Sequence, residues 1–567
     1  MFFSGVAQAA TPDAVFARDF GDDFLDRYWA HNTDAAVGVG YYKYADRLVV
    51  PDAAARKRYL AFLDASLRKL SAIDANRLDA GHRTDWAVLK GRLDAERWYL
   101  TVYRDWEWDP SGYNVADALA KITSTPYAPA EERLRAMSKR LANVPAYYAA
   151  AKAAIRHPVR EYTQLAIEQN TGALDVFGSE FEALAASSTL AAGERARLLQ
   201  RADAARAAIA DYVEYLKRVD ADQGAGTRSF RIGSNLYEQK FARDIQSGDT
   251  AAHLYERAQA EKEKLHVRMS ELADELWPKY MAALPKPATK LEAIRMVIDR
   301  IAENHVAPDQ FVPNVKALVP RLEKWVTDHQ LLTLDPTRPL EVREMPPYQR
   351  GFSMANLQSS GPYDPGAQSW YNVSPLDAYT PSEAESFLHE YNSYTMQILS
   401  IHEGVPGHYV QLMYANKSPS RIKAVFGNGA TVEGWAVYSE RMMMESGWGD
   451  NAPEMWLMYY KWYLRAVCNT ILDYRLHTQD LTEQGAMDLL RREAFQSETE
   501  ATGKWRRARL SAVQLTTYFS GYAAVYDFRE QLKKEQGASF DLKRFHEQFL
   551  SYGSAPVGVI KELMHPR

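Results

Sequence analysis

The chain has 567 residues, a formal net charge of −5, 46% hydrophobic and 25% charged residues, which is the profile of a large globular protein. More than one compact lobe is expected, because a single hydrophobic core seldom grows beyond about 250–300 residues. Lys and Arg are scattered, which argues against a nucleic-acid-binding protein. One cysteine, Cys468, excludes an internal disulfide and cysteine-rich zinc modules. No apolar run is long enough to predict a membrane span.

The first residues predict export. Residues 1–11 contain the small-residue pattern Ala7-Gln8-Ala9, which resembles the end of a signal peptide. We therefore expect a leader or signal-peptide remnant at 1–11 and a periplasmic or secreted protein, with the cytoplasm as the alternative. A helical region is predicted at 12–225. A catalytic region, with a small sheet and metal-site helices, is predicted at 226–567, both within one two-lobed unit.

Helical periodicity dominates the rest of the chain up to about residue 330. Apolar residues recur at helical spacing from Tyr59 to Leu70, after a Pro51-Asp52 start. Long helices are predicted at about 235–282 and 289–305, with a proline-containing linker between them.

Residues 331–379 differ in character, because seven prolines forbid long helices there. Short β-like runs at 340–344 and 369–373 predict a small irregular sheet near residues 340–375. Tyr371, in the second run, is a candidate substrate-binding residue, since an exposed edge strand can bind an extended peptide by strand addition. A structural hairpin beneath the helices is the alternative.

A clear helix start follows the proline-rich segment. Thr380 and Glu383 form a capping-box pattern around Pro381 at the first helical position. The spacing from Leu388 to His402 places apolar residues and the histidine on roughly one face. The pattern predicts one helix from 381 to His402, with the histidine facing inward.

The central motif contains the side-chain types that a zinc hydrolase needs: two imidazoles to hold an ion and a carboxylate to take a proton from water. It reads His402-Glu403-Gly404-Val405-Pro406-Gly407-His408. The usual His-Glu-x-x-His spacing brings both histidines to one helix face. Here they are six apart, which an unbroken helix would separate by about 120°. Pro406 and Gly407 predict a break that loops out two residues and brings the histidines together. Two unrelated histidines on a helix–turn–helix are the alternative.

A second acidic pattern supplies a third metal ligand. Glu433 and Glu440 stand seven apart in the helix predicted after Gly427-Asn428-Gly429, hence on one face. A buried carboxylate needs a partner, and catalytic zinc commonly takes three protein ligands. We predict Zn²⁺ on His402, His408 and Glu433, with Glu440 orienting a histidine ring. A solvated Glu433 near a helix N-terminus is the alternative.

Further candidates lie on two later segments. Asp473 and His477 are one turn apart on a helix predicted at 454–478, where a core role is the alternative to a catalytic His477 oriented by Asp473. A tyrosine hydroxyl near the metal, Tyr518, could stabilise an oxyanion. The substrate-binding candidates, beside Tyr371, are Arg465, Arg507, Gln514 and Tyr522, because an arginine can hold a peptide carboxylate by a bidentate pair.

Three motifs of this chain are similar to those of a known family: residues 402–411 (HEGVPGHYVQ), residues 432–440 (VEGWAVYSE), and Gln514-x-x-x-Tyr518-x-x-Gly521. Together they resemble the bacterial "domain of unknown function 885" family, which is itself similar to the helical zinc carboxypeptidases and oligopeptidases. The resemblance implies a mainly α, large helical zincin-like fold with a deep cleft. It implies zinc on the three ligands above and Glu403 as general base. The family tends to a Pro-Gly just before the glutamine, where this chain has Ala512-Val513.

These observations predict a zinc-dependent hydrolase, a gluzincin-like metallopeptidase of the carboxypeptidase or oligopeptidase kind that cleaves short peptides with metal-activated water. No nucleic-acid partner and no membrane span are expected. The alternative is a non-catalytic helical zinc-binding or scaffold protein derived from such an enzyme.

Overall fold

The structure, a computed structural model, describes residues 10–222, 227–345, 354–359, 361–364 and 368–564. The chain divides into two compact units, Met1–Phe230 with Gly361–Pro365, and Arg231–Ser360 with Gly366–Arg567. Of the leader predicted at 1–11, residues 1–9 lie outside the described residues. The mainly α class with one small sheet is confirmed.

The first unit is helical throughout its described part. Two of its longer helices, α4 and α5, begin at aspartate caps: the Asp52 carboxylate accepts from Ala55 N at 2.7 Å, and the Asp79 carboxylate accepts from His82 N at 2.8 Å. Its buried core includes Leu119, Leu134 and Ile209. The helices are α1 (Pro12–Phe20), α2 (Asp22–His31), α3 (Thr33–Gly38), α4 (Ala53–Ser71), α5 (Ala80–Trp98), α6 (Ala116–Ser124), α7 (Ala130–Leu141), α8 (Val144–Ala154), α9 (Arg160–Gly172), α10 (Ser179–Ser187) and α11 (Ala192–Ala221).

The second unit holds every candidate site residue. Its helices are α12 (Gly233–Asp244), α13 (Ala251–Tyr280), α14 (Lys290–Ala302), α15 (Phe311–Asp328), α16 (Pro381–Glu390), α17 (Thr395–Glu403), α18 (His408–Asn416), α19 (Arg421–Val425), α20 (Gly429–Glu445), α21 (Pro453–Thr478), α22 (Glu483–Met487), α23 (Glu498–Arg509), α24 (Thr517–Gln536), α25 (Leu542–Ser551) and α26 (Val557–Met564). Helix α13 packs along α21, and α20 packs along α24. Among the described residues no helix is both long and apolar enough to cross a membrane.

Two predicted long helices are each divided in the structure. The segment 235–282 is broken between α12 and α13, where Gln246 and Gly248 have positive φ and the Thr250 hydroxyl caps the new helix. The segment 381–402 is broken between α16 and α17. There the Asn392 side-chain oxygen accepts from the backbone amides of Tyr394 and Thr395, which starts a second helix. The predictions of single helices were therefore wrong.

The small sheet has the strand order β1-β3-β2, with β1 (Glu341–Glu344), β2 (Ala355–Gln358) and β3 (Trp370–Val373). Strand β3 pairs parallel with β1 and antiparallel with β2. Tyr371 pairs with Val342 on one side and Leu357 on the other, so it lies on the central strand. The sheet was predicted, but β3 is not the edge strand that peptide addition would need.

Candidate metal centre

The two histidines of the central motif lie on separate helices. Helix α17 ends at Glu403 and α18 begins at His408, so the predicted interruption is present. Gly407 N donates to Ile401 O at 3.0 Å, which folds the loop back on α17. A Cβ at Gly407 would lie 1.9 Å from the His402 carbonyl oxygen, so only glycine fits this close approach.

Helix α20 anchors the loop and α18 through side-chain bonds to backbone. The Trp435 indole Nε1 donates to Pro406 O at 2.9 Å, and Gln411 Nε2 donates to Thr431 O at 3.2 Å. Trp435 and Gln411 are both buried. The two motifs around residues 402–411 and 432–440 are therefore joined by specific hydrogen bonds, which fix the histidines relative to Glu433.

The three predicted ligands converge. His402 Nε2 lies 3.6 Å and His408 Nε2 lies 3.5 Å from Glu433 Oε2, and the imidazole centroids are 4.7 Å apart. A tetrahedral zinc ion with bonds of about 2.0–2.1 Å separates its ligand atoms by about 3.3 Å, so these separations fit such an ion. Ligand atoms of His402, Glu403 and His408 also lie within 4.8 Å of one another.

The orientation of His402 is set by Glu440. Glu440 Oε1 lies 2.7 Å from His402 Nδ1 and also accepts from Trp462 Nε1 at 3.1 Å. Because a carboxylate accepts, Nδ1 carries a proton, and Nε2 is the ring atom that faces Glu433. Burial lowers the pKa of His402, but hydrogen bonds to Glu433 and Glu440 outweigh burial and hold it well above its usual value. A site that favours extra positive charge this strongly suits a cation.

The pKa values of the two carboxylates at the site, Glu403 and Glu433, are shifted in opposite directions. Burial raises the pKa of Glu403, although the neighbouring His408 and His402 oppose that shift. Burial also acts to raise the pKa of Glu433, but its hydrogen bonds to the two histidines outweigh burial and lower it. Tyr371 is buried, and burial followed by the Glu403 charge raises the pKa of its phenol. Tyr371 therefore lies beside Glu403.

Tyr518, Gln514 and Arg507 form one group on the same side of His402. The Tyr518 ring is stacked 6.4 Å from the His402 ring. Arg507 donates to the Tyr518 hydroxyl at 3.2 Å and to Gln514 Oε1 at 2.9 Å. Val513, just before Gln514, has φ +71°, the left-handed region that a β-branched residue rarely adopts. The turn that presents Gln514 is therefore strained.

A glycine contact sets the distance between the Glu433 and Tyr518 helices. A Cβ at Gly434 on α20 would lie 2.3 Å from the Gly521 backbone, and a Cβ at Gly521 on α24 would lie 1.7 Å from Ala430 O. The helices therefore touch backbone to backbone. Glu433 is adjacent to Gly434, and Tyr518 lies one turn before Gly521, so this contact brings the ligand and the tyrosine to the same place.

Asp473 and His477 form a buried pair away from the histidine cluster. His477 Nε2 lies 3.1 Å from Ala508 O, and the Asp473 carboxyl accepts from Tyr237 and from the Val513 and Leu515 amides. Burial lowers the pKa of His477 to about 4 and raises that of Asp473 to about 8. Both side chains bind backbone around the turn before Gln514, which fits the core role that was the alternative to catalysis by His477.

Two other predicted substrate-binding residues are engaged elsewhere. Arg465 pairs with Glu390 at 3.3 Å and with Glu500 at 2.9 Å, so its guanidinium is committed to two carboxylates. Tyr522 is buried and its ring packs 4.8 Å from that of Tyr463. Their described polar and ring contacts include these partners but neither of the two histidines nor Glu433.

Two residues at the site were missed from the sequence. Trp462 holds Glu440, as described above. Lys504, on α23 one turn before Arg507, has its pKa lowered to about 7 by burial, with the nearby charges of Arg465 and Arg507 adding to the effect. Neither residue stands in a motif, and both act through contacts between distant helices, so no local signal identifies them.

Comparison with known proteins agrees with the motifs. The model of the family described as "Bacterial protein of unknown function (DUF885)" matches residues 34–564. A solved structure, "a putative lipoprotein of unknown function from Shewanella oneidensis", is 46% identical with a TM-score of 0.89 over 98% of this chain and 100% of that one. A second, "the putative lipoprotein from Colwellia psychrerythraea", shares the fold at 16% identity and a TM-score of 0.77, over 97% of each chain. No curated protein matches the sequence. The chain therefore belongs to the bacterial family of unknown function DUF885.

Proposed function

We propose that the protein is a zinc-dependent metallopeptidase that cleaves short peptides. The observation that carries the proposal is the convergence of His402 Nε2 and His408 Nε2 on Glu433 Oε2, at 3.6 and 3.5 Å, with Glu403 beside them. Two imidazoles and one carboxylate form the ligand set of a catalytic zinc ion with an open position.

The residues present fit that ion. Glu440 fixes the tautomer of His402, and His408 Nδ1 is buried without a hydrogen-bond partner among the described residues, which leaves both Nε2 atoms to act as ligands. A zinc ion held there would supply Lewis acidity and make a bound water more acidic.

Glu403 and Tyr518 then have distinct roles. Glu403, a partly buried carboxylate with a raised pKa, accepts a proton from the attacking water and returns it to the leaving amine. The Tyr518 hydroxyl, already polarised by Arg507, donates to the oxygen that gains negative charge.

Cationic side chains near Tyr518 support recognition of a peptide C-terminal carboxylate. Arg507 is exposed, and Lys504 lies one turn away on the same helix. Arg465 and Lys461 are already paired with Glu390 and Glu500, so Arg507, together with Lys504 when it is protonated, supplies charge beyond that network. A peptide bound by its terminal carboxylate would be cleaved as by a carboxypeptidase.

We infer further that the protein works in the bacterial cell envelope or outside the cell. The signal-like pattern at residues 1–11 supports this location. The lipoprotein names of the two structural relatives, which belong to those proteins, support it as well.

The test combines metal analysis with a peptide library. E403Q should keep the zinc content of the wild type and lose hydrolysis, because it removes the base but no ligand. H408A should lose one equivalent of bound zinc together with activity. Hydrolysis retained in E403Q would refute the mechanism. Zinc bound by the wild type without cleavage of any library peptide would favour a non-catalytic zinc-binding scaffold.

A further inference from the structure

A second cluster of metal-ligating side chains lies on α16 and the loop after α14. Glu385 and His389 are one turn apart on α16, and His305 follows the end of α14. Glu385 Oε1 lies 3.1 Å from His305 Nε2 and 3.3 Å from His389 Nε2. The imidazole centroids are 5.6 Å apart. We propose that His305, Glu385 and His389 form a second transition-metal site of the His₂Glu type, which takes Zn²⁺ or a similar borderline cation.

The distances are those of a metal site. A tetrahedral zinc ion separates its ligand atoms by about 3.3 Å, as derived for the first cluster. The two separations within this second cluster are 3.1 and 3.3 Å, slightly shorter than the 3.5 and 3.6 Å found around Glu433. One atom from each of the three residues lies within 4.8 Å of the others.

The orientation of His305 gives independent support. Its Nδ1 lies 3.0 Å from the backbone carbonyl oxygen of Val306, and a carbonyl only accepts, so Nδ1 carries the proton. Nε2 then faces Glu385 Oε1, which is an acceptor, and a metal ion between these two atoms would satisfy both. His402 shows the same arrangement between Glu440 and Glu433.

The site is held in place without a metal. Ser393 N donates to Asn304 O at 3.0 Å, so the residue before His305 is bound to the chain just after α16. The His305 side chain is only 15% exposed, whereas Glu385 is 60% exposed and leaves room for water as a further ligand. Such pre-organisation lowers the entropic cost of metal binding.

The consequence of binding would be to fasten the loop after α14 onto α16. Helix α16 ends at Glu390, whose buried carboxylate pairs with Lys461 and Arg465 of α21. Helix α17, with His402, begins a few residues later. A metal here would therefore support the helices next to the candidate catalytic centre without touching its ligands. A ligand that binds only the folded chain also raises thermal stability by mass action.

The test uses the full chain freed of metal and titrated with ZnCl₂, with bound zinc counted by mass spectrometry after desalting. In the H408A background, where the first site is impaired, about one equivalent should remain, the count expected for one site. H408A/H389A should lose that equivalent, with an affinity at least 10-fold weaker. The matched control is H408A/H253A. It removes another histidine paired with a carboxylate four residues away, Asp249, where the described residues offer no third ligand.

Two further readouts keep the proposal open to refutation. Zinc should raise the melting temperature of H408A but not of H408A/H389A. Should H408A fail to fold, H389Q alone should reduce the zinc count of the wild-type chain by one. The second metal site would be refuted if folded H408A bound no zinc. It would also be refuted if H408A and H408A/H389A bound equal amounts of zinc.

Discussion

The contact between Gly434 and Gly521 allows a quantitative test of how the fold builds the site. In G521A the new Cβ would lie 1.7 Å from Ala430 O, half the 3.4 Å at which ordinary contact begins. Backbone atoms on both sides of the contact cannot turn away as a side chain can, so α20 and α24 must separate. Such overpacking costs about 1–3 kcal/mol and occasionally more, against a gain of about 1 kcal/mol from replacing glycine inside a helix.

The overlap is severe, so we take the cost at the upper end, about 3 kcal/mol, and after the gain of about 1 kcal/mol we expect G521A to lose about 2 kcal/mol in the free energy of unfolding. Metal affinity and activity should fall as well, because Glu433 and Tyr518 sit on the two separated helices. The measurement is urea unfolding together with a zinc titration. G503A is the matched control: Gly503 also lies inside a helix, α23, but a Cβ there meets nothing within 4 Å. That variant should be unchanged or stabilised by up to about 1 kcal/mol. If G521A were as stable as G503A and bound zinc with unchanged affinity, the backbone contact between α20 and α24 would not set the geometry of the site.

Three further predictions concern the surroundings of the metal. E440Q should weaken zinc binding about 10- to 100-fold in a chelator competition, because it removes the charged partner of His402; E445Q, which alters a carboxylate of the same helix, should not. In K504M the free energy of unfolding should rise less between about pH 7 and pH 10 than in the wild type. The unfolded wild-type chain keeps a proton on lysine up to a pKa of about 10.4, while the folded chain releases it near 7, so folding gains stability as the pH rises through that range. R507A should raise KM for peptides with a free C-terminal carboxylate and leave KM for amidated peptides unchanged, while kcat falls for both through the lost contact with Tyr518; an equal rise in KM for both would argue against carboxylate recognition.

Local signals in the sequence predict much of the second unit. The capping box at Thr380 is present, with Glu383 N donating to Thr380 Oγ1 at 3.3 Å. Helix α21 covers Pro453–Thr478, close to its predicted range, and the loop between His402 and His408 lies where Pro406 and Gly407 predicted it. These features could be predicted because proline, glycine and capping residues act on the neighbouring backbone.

Other features depend on contacts that no local pattern encodes. The break at Asn392 competes with a good helical pattern, and it prevails because the side chain satisfies two amides while α16 is tied to α21 through Glu390. Strand β2 alternates apolar and polar residues over four positions only, too short a run to stand out in the sequence, and it forms by pairing with β3. Trp462 reaches Glu440 across two helices. Such tertiary contacts override local propensity.

The left-handed backbone of Val513 bears on how this family can change over time. A residue other than glycine in that region costs about 1–3 kcal/mol, while the buried valine side chain returns about 1.5–3 kcal/mol by leaving water. The two contributions are of similar size and opposite sign. Glycine, as in the family pattern, and valine, as in this chain, are thus nearly equivalent solutions for the turn before Gln514. Exchanging valine for glycine at position 513 would therefore change the free energy of unfolding little, so the residue found there says little about function.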